Sequence, residues 1–265
     1  MRKLLVCDLD GTLLDQHNAM DAYSRQAIMN FIQAGNDFCI CTGRLDADIQ
    51  YVEKKLGFQS AYRISQNGAV IRDRHNNLIF SATIAPELIR PINRILFSSG
   101  LRVEVSDINH RYFLSPRDPG SVAEYVDTSV IKPDLQSFVE NSEMQPVIYL
   151  TFGTQDAFVP LTKQLKDAVN GRANVQQTSP SSLEVFSNQA SKGQALRKIM
   201  GLTHYAPADV YAAGDAENDT SMFTVTDHSF AIGRLADQAT IAAASAHYDT
   251  VGQMIDSIRR GCRVS

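Results

Sequence analysis

Asp8 and Asp10 stand two residues apart at the end of the apolar run Leu4-Leu5-Val6-Cys7. Residues two apart in a strand share a face, so this spacing aims two carboxylates the same way. Carboxylates that close need a shared proton or a cation. Magnesium suits the pair, because it takes oxygen ligands, usually one or two carboxylates with waters and substrate phosphate. Asp215, with Asp219 beyond it, follows another apolar run and could complete the set. Donors for a phosphate come from elsewhere. Thr42 and Gly43 offer a hydroxyl and an unshielded backbone N–H after a third run, and Lys192 offers a compact positive charge before a helix. An EF-hand reading of Asp8-Leu9-Asp10-Gly11 fails, because the sixth loop position is Leu13 instead of Gly and the twelfth is Ala19 instead of Glu. Taken singly, Lys192-Gly193 is an ordinary helix start and Gly214-Asp215 an ordinary turn. Together, each cluster stands at a strand end or helix start and supplies a different part needed for phosphoryl transfer.

These segments meet only if the runs that carry them lie side by side. The run from Lys3 to Asp8 reads as a buried parallel strand. From Asp21 through Gly35, Ala27, Ile28, Phe31, Ile32 and Ala34 recur at helical spacing and Gly35 is a stop signal. A strand from Asp37 to Cys41, a helix from Asp46 to Leu56 and a strand from Ala61 to Ser65 follow. This alternation predicts an α/β fold with a doubly wound, parallel, Rossmann-like sheet, whose strand C-termini share one crevice. Val70 to Thr83, with His75-Asn76-Asn77 in its middle, reads as a hairpin. Helices from Pro86 to Ser99 and Asp156 to Val169, with strands around residues 101–105, 111–114, 147–152, 174–178 and 183–186, predict an inserted α+β cap. The parallel rhythm resumes with a helix from Gly193 and strands at 209–213 and 229–232. The expected division is core at 1–84 and 188–265, and cap at 85–187.

The 265 residues carry 25 Lys and Arg against 29 Asp and Glu, a net charge of −4 with no broad field for nucleic acid or anionic lipid. At 44% hydrophobic and 20% charged residues, with 15 Gly and 9 Pro, the chain has globular composition. No apolar stretch nears the roughly 20 residues of a bilayer span, and Asp8 and Asp10 interrupt the first run before a signal-peptide core forms. Cysteines at 7, 39, 41 and 262 are too few for a disulfide framework and form no Cys-x-x-Cys pair. The expectation is a cytoplasmic protein without membrane or nucleic-acid partners, in which Cys39 and Cys41 are small buried hydrophobes.

Asp8-Leu9-Asp10-Gly11-Thr12, Thr42-Gly43-Arg44, Lys192-Gly193 and Gly214-Asp215-Ala216-Glu217-Asn218-Asp219 resemble the four signature motifs of the haloacid dehalogenase (HAD) superfamily. Ser65-Gln66-Asn67-Gly68-Ala69 resembles a segment of its Cof-like, type IIB-capped sugar-phosphatase branch. The resemblance implies a Mg²⁺-dependent phosphatase acting on a small phosphorylated metabolite, a sugar phosphate above all, through a phospho-aspartate. It implies Asp8 as nucleophile, Asp10 as acid and base, and Thr42, Gly43 and Lys192 as phosphate binders. Mg²⁺ would be held by Asp8, Asp10 through its carbonyl, and Asp215, with Asp219 supporting through water. Arg44, Asn67, Glu184 and Asn218 are the substrate candidates, and His110, Arg111 and Arg117 are the polar candidates of the cap for reading the leaving group. Met222 and Phe223 read as core. Arg234 stands where the branch usually has Asn-Ala after Ile232-Gly233. The alternatives are a phosphomutase with the same aspartyl-phosphate chemistry and a non-catalytic metabolite-binding protein. A receiver domain is disfavoured by length. The expected assembly is a monomer or homodimer.

Overall fold

The computed structural model describes residues 2–117, 124–141, 143–179 and 181–260. Two compact units emerge, one made of residues 1–44, 49–80 and 191–265, the other of 45–48 and 81–190.

In the first unit the chain runs β1 (Leu4–Cys7), α1 (Ala22–Gln33), β2 (Asp37–Cys41), α2 (Asp46–Leu56, whose first residues group with the second unit) and β3 (Tyr62–Ser65). The hairpin β4 (Val70–Asp73) and β5 (Leu78–Ser81) follows. Helix α1 begins where Asp21 accepts a hydrogen bond from the Ser24 N–H, and ends before Gly35, whose φ of +86° suits a residue without Cβ.

The second unit comprises α3 (Pro86–Phe97), β6 (Arg102–Ser106), β7 (Arg111–Phe113), β8 (Ser129–Ile131), α4 (Leu135–Asn141), β9 (Ile148–Phe152), α5 (Gln155–Val169), β10 (Ala173–Ser179) and β11 (Ser182–Ser187). Its sheet has the order β10-β11-β9-β6-β7-β8, antiparallel except for β7 beside β8. Val103, Val105, Tyr149, Leu183 and Val185 on one sheet face pack with Leu88, Ile92, Leu135, Phe158 and Leu165 from the three helices. This is the α+β insert.

The chain then returns to the first unit with α6 (Lys192–Thr203), β12 (Val210–Gly214), α7 (Thr220–Phe223), β13 (His228–Ile232), α8 (Gln238–Ala243), β14 (Ala246–Tyr248) and α9 (Val251–Arg259). The sheet order is β14-β13-β12-β1-β2-β3-β4-β5, parallel from β14 to β3 and antiparallel at β3/β4. Leu4, Val6, Cys39, Cys41, Val210 and Ala212 bury one sheet face against Ala195, Leu196 and Ile199 of α6, with Met222 and Phe223 in the same cluster. The alternate residues Leu5, Cys7, Phe38 and Ile40 are buried as well, as a sheet covered on both faces requires. Cys7, Cys39 and Cys41 are free, buried thiols, and Cys262 lies outside the described residues. Among the described residues, no helix is long and apolar enough to cross a membrane.

Candidate active site

Strand β1 ends at Cys7, and the first residue past it, Asp8, still donates its backbone N–H to the Ala213 carbonyl of β12 at 2.9 Å. Its carboxylate is buried and accepts a hydrogen bond from Lys192 Nζ at 2.6 Å. The same ammonium donates to Asp219 Oδ1 at 2.6 Å. Lys192 is 2% exposed and Asp219 is fully covered, so both charges rest on this arrangement. Asp219 uses its other oxygen to accept the backbone N–H groups of Asp215 and Ala216, each at 3.1 Å. Gly214 permits that contact, because a Cβ there would lie 2.2 Å from Asp219 Cγ.

One oxygen from each of Asp8, Asp215 and Asp219 lies within 4.8 Å of the others. Burial pushes the Asp8 carboxyl up to about 8 against the pull of Lys192, and Asp219 adds to the rise. Burial also pushes Asp215 up to about 6, although a hydrogen bond from Thr12 opposes it. Burial disfavours the Lys192 ammonium, yet Asp8 and Asp219 hold its pKa above the usual lysine range. Three carboxylates thus face one ammonium. A crowded, oxygen-only donor set short of positive charge fits a hard divalent cation.

Loop geometry fixes the rest. Gly11 has φ +88°, and a Cβ on it would fall 2.3 Å from Asp215 Oδ2. Thr12 Oγ1 donates to Asp215 Oδ1 at 2.6 Å. Thr42, buried after β2, donates its N–H to Ile64 O at 2.9 Å, and its carbonyl accepts the Asn67 N–H at 3.0 Å. Gln66, Asn67 and Gly68 have φ of +51°, +54° and +94°. Such a run of left-handed residues is costly and persists only where surrounding structure holds it. Asn67 Oδ1 accepts from Asn218 Nδ2 at 3.3 Å, and a Cβ on Gly43 would lie 3.1 Å from that oxygen. Gly68 abuts the Ser191–Lys192 peptide. This turn therefore touches the loops bearing Thr42, Lys192 and Asn218 at once. Ser191 caps α6 by accepting the Gln194 N–H, and Gly193 donates to Ser221 Oγ at 3.1 Å.

Asp10 departs from the expectation that it points with Asp8. Strand geometry stops at Cys7, Asp10 forms an isolated bridge with Leu14, and its carboxylate takes a bidentate ion pair from Arg44 at 2.7 and 2.8 Å. Arg44, a substrate candidate by sequence, is thus committed to Asp10. In the second unit, Glu184 accepts from Thr178 Oγ1 at 3.1 Å, while its Oε2 is buried without a hydrogen-bond partner among the described residues. Arg117 is largely covered: its side chain is 11% exposed, donates to both oxygens of Glu124, and lies 4.4 Å from the centre of the Phe113 ring. Arg111 also pairs with Glu124, and His110 lies beside Asp107. Arg234 is exposed and pairs with Asp249. Sequence reasoning missed Thr12, Ser191 and Ser221 as supports; a Ser immediately before a helix start is the one signal that could have found Ser191.

A family model described as haloacid dehalogenase-like hydrolase matches residues 5–253. The chain belongs to the haloacid dehalogenase-like hydrolases. A Bacillus subtilis 5-amino-6-(5-phospho-D-ribitylamino)uracil phosphatase is 27% identical, covering 98% of this chain and 99% of its own. An HMP-PP phosphatase of Yersinia pseudotuberculosis is 24% identical over 90% of this chain and 86% of its own. Among solved structures, a Thermotoga maritima protein superposes with a TM-score of 0.86 at 22% identity, covering 97% of each chain. A subclass IIB sugar phosphatase of the superfamily superposes at 0.77 with 16% identity, covering 98% of each. The HAD hydrolase thus has the fold of a parallel core sheet with an α+β insert, and its enzyme class is phosphatase.

Proposed function

We propose that this HAD hydrolase is a Mg²⁺-dependent phosphatase that removes phosphate from a small phosphorylated metabolite, a sugar phosphate being the favoured class, through a phospho-aspartate on Asp8. The observation that carries this reading is the buried Lys192 ammonium 2.6 Å from both Asp8 and Asp219, with Asp215 completing the carboxylate group. Asp8, Asp215 and the Asp10 carbonyl would hold the cation, with Asp219 behind them. The cation, when bound, supplies charge neutralisation that lets an anionic nucleophile approach an anionic phosphate.

In the first step an Asp8 carboxylate oxygen bonds to phosphorus as the ester P–O bond breaks, and a proton from Asp10 passes to the departing oxygen. In the second, water loses a proton to the Asp10 carboxylate as its oxygen bonds to phosphorus. The acyl-phosphate P–O bond then breaks, returning Asp8 and releasing phosphate. Lys192, the Thr42 hydroxyl and the Gly43 N–H are preset donors for the transferring group.

The test is phosphate release from a panel of sugar phosphates with Mg²⁺, by the wild type, by Asp8→Asn and in the presence of chelator. Release falls to background in the last two. Full turnover by Asp8→Asn overturns the mechanism.

A further inference from the structure

Arg44 sits on a loop fixed at both faces of its backbone. Its N–H donates to Thr42 Oγ1 at 3.3 Å and its carbonyl accepts the Gln66 N–H at 2.9 Å. From this anchored point its Nε and Nη2 reach the two oxygens of Asp10, at 2.7 and 2.8 Å. The Arg44 side chain is 17% exposed and the Asp10 side chain 43% exposed. An exposed carboxylate on a loop past a strand end ordinarily samples several rotamers. A planar fork that holds both oxygens removes that freedom, and a lysine could not do the same.

We propose that Arg44 is the positioning residue for Asp10, fixing the carboxyl that exchanges the proton in both half-reactions. This rests on the phospho-aspartate reading above. Proton transfer is sensitive to small misplacements of acid and base, and general acid–base catalysis is worth about 10²- to 10⁴-fold.

The experiment compares Arg44→Ala, Arg44→Lys and Asp10→Asn in the full-length, Mg²⁺-loaded enzyme on two substrates. A hexose 6-phosphate has an alkoxide leaving group that needs an acid, whereas p-nitrophenyl phosphate has a leaving group that does not. In Arg44→Ala the kcat on the hexose phosphate falls about 10²-fold, within the range for acid–base catalysis, while KM stays within about threefold. On p-nitrophenyl phosphate the same variant gives a burst approaching one p-nitrophenolate per enzyme, followed by slow turnover. Phosphorylation of Asp8 then proceeds without the acid, and water attack waits for the base. Added guanidinium chloride restores part of the slow phase, and Arg44→Lys recovers less than the wild-type rate.

A raised KM with unchanged kcat and no burst would instead make Arg44 a substrate ligand and overturn the proposal. An equal loss on both substrates, with neither burst nor guanidinium rescue, would make its role structural and overturn it too. Should Arg44→Ala fail to melt cooperatively, Arg44→Lys carries the same comparison. Wild-type turnover by Asp10→Asn removes the acid–base reading itself, whereas a burst in Asp10→Asn without one in the Arg44 variants removes the assignment of Arg44 alone.

Discussion

Lys192 is the residue on which the site's charge balance turns. It offers one positive charge to two carboxylates from inside the fold, where removing one partner of an ion pair costs about 3–5 kcal/mol because the other charge is left without compensation. Lys192→Met should therefore lower the melting temperature in chelator, with Asp8, whose carboxyl burial already raises, escaping part of the cost by taking up a proton. Added Mg²⁺ should raise the melting temperature of the variant more than that of the wild type, since the cation then supplies the missing positive charge. Activity should fall at least 10²-fold, in line with the loss of one preorganised charge. Equal melting curves for variant and wild type in chelator would show that the ion pair does not carry the site. This constellation was legible in the sequence because its residue types, carboxylates and a lone lysine at element boundaries, each have a place in phosphoryl-transfer chemistry. The Arg44–Asp10 pair was not. The two residues lie 34 positions apart on loops whose paths depend on tight turns, and an arginine after Thr-Gly is equally able to reach a substrate.

At the scale of elements, the left-handed turn Gln66–Gly68 links loops that follow separate strands, so its shape should matter more than its side chains. Gly68→Ala would place a Cβ 2.1 Å from the Ser191 carbonyl oxygen, and backbone cannot yield as a flexible side chain does. Gly100 also has positive φ, +72°, but a Cβ there would meet nothing within 4 Å. Gly100→Ala therefore bears only the conformational cost, of about 1 kcal/mol, whereas Gly68→Ala should cost more and also lower kcat by displacing Lys192. Denaturant unfolding of both variants checks the difference, and equal shifts would refute it. The strands and helices that precede the motifs were readable because a buried parallel strand is a continuous apolar run and α1 has a helical stripe with a cap at each end. Helix α4 was not, since seven residues, barely two turns, are too few to establish a period. Helix α9 does have helical spacing, in Val251, Met254, Ile255 and Ile258, but bears no motif to draw the eye.

At the scale of the whole molecule, several buried carboxyls lean the same way. Burial raises Asp8 to about 8 and Asp215 to about 6, and it raises Glu104 and Glu184 in the insert. A carboxyl raised by folding stabilises the native state fully at pH values below its unfolded pKa of about 4, and that contribution is lost as pH climbs through the folded value. Exposed carboxylates held low by local hydrogen bonds, Asp15 by the Ala19 and His17 amides and Asp73 chiefly by the Asn77 side chain, act in the opposite sense. Their contribution disappears only as pH falls below about 4, and the raised Lys192 matters only above the ordinary lysine range. Between about pH 5 and pH 8 the raised carboxyls therefore dominate, and the chelated protein should melt at progressively lower temperature. On the proposed function a divalent cation would bind the ionised carboxylates of Asp8 and Asp215, so Mg²⁺ should flatten or reverse that slope, with a stabilisation that grows with pH. Calorimetric melting in chelator and in Mg²⁺ at four pH values across this window decides the matter. A melting temperature that rises with pH in chelator would mean that the buried carboxyls are ionised at little cost, removing the charge deficit on which cation binding at this site depends.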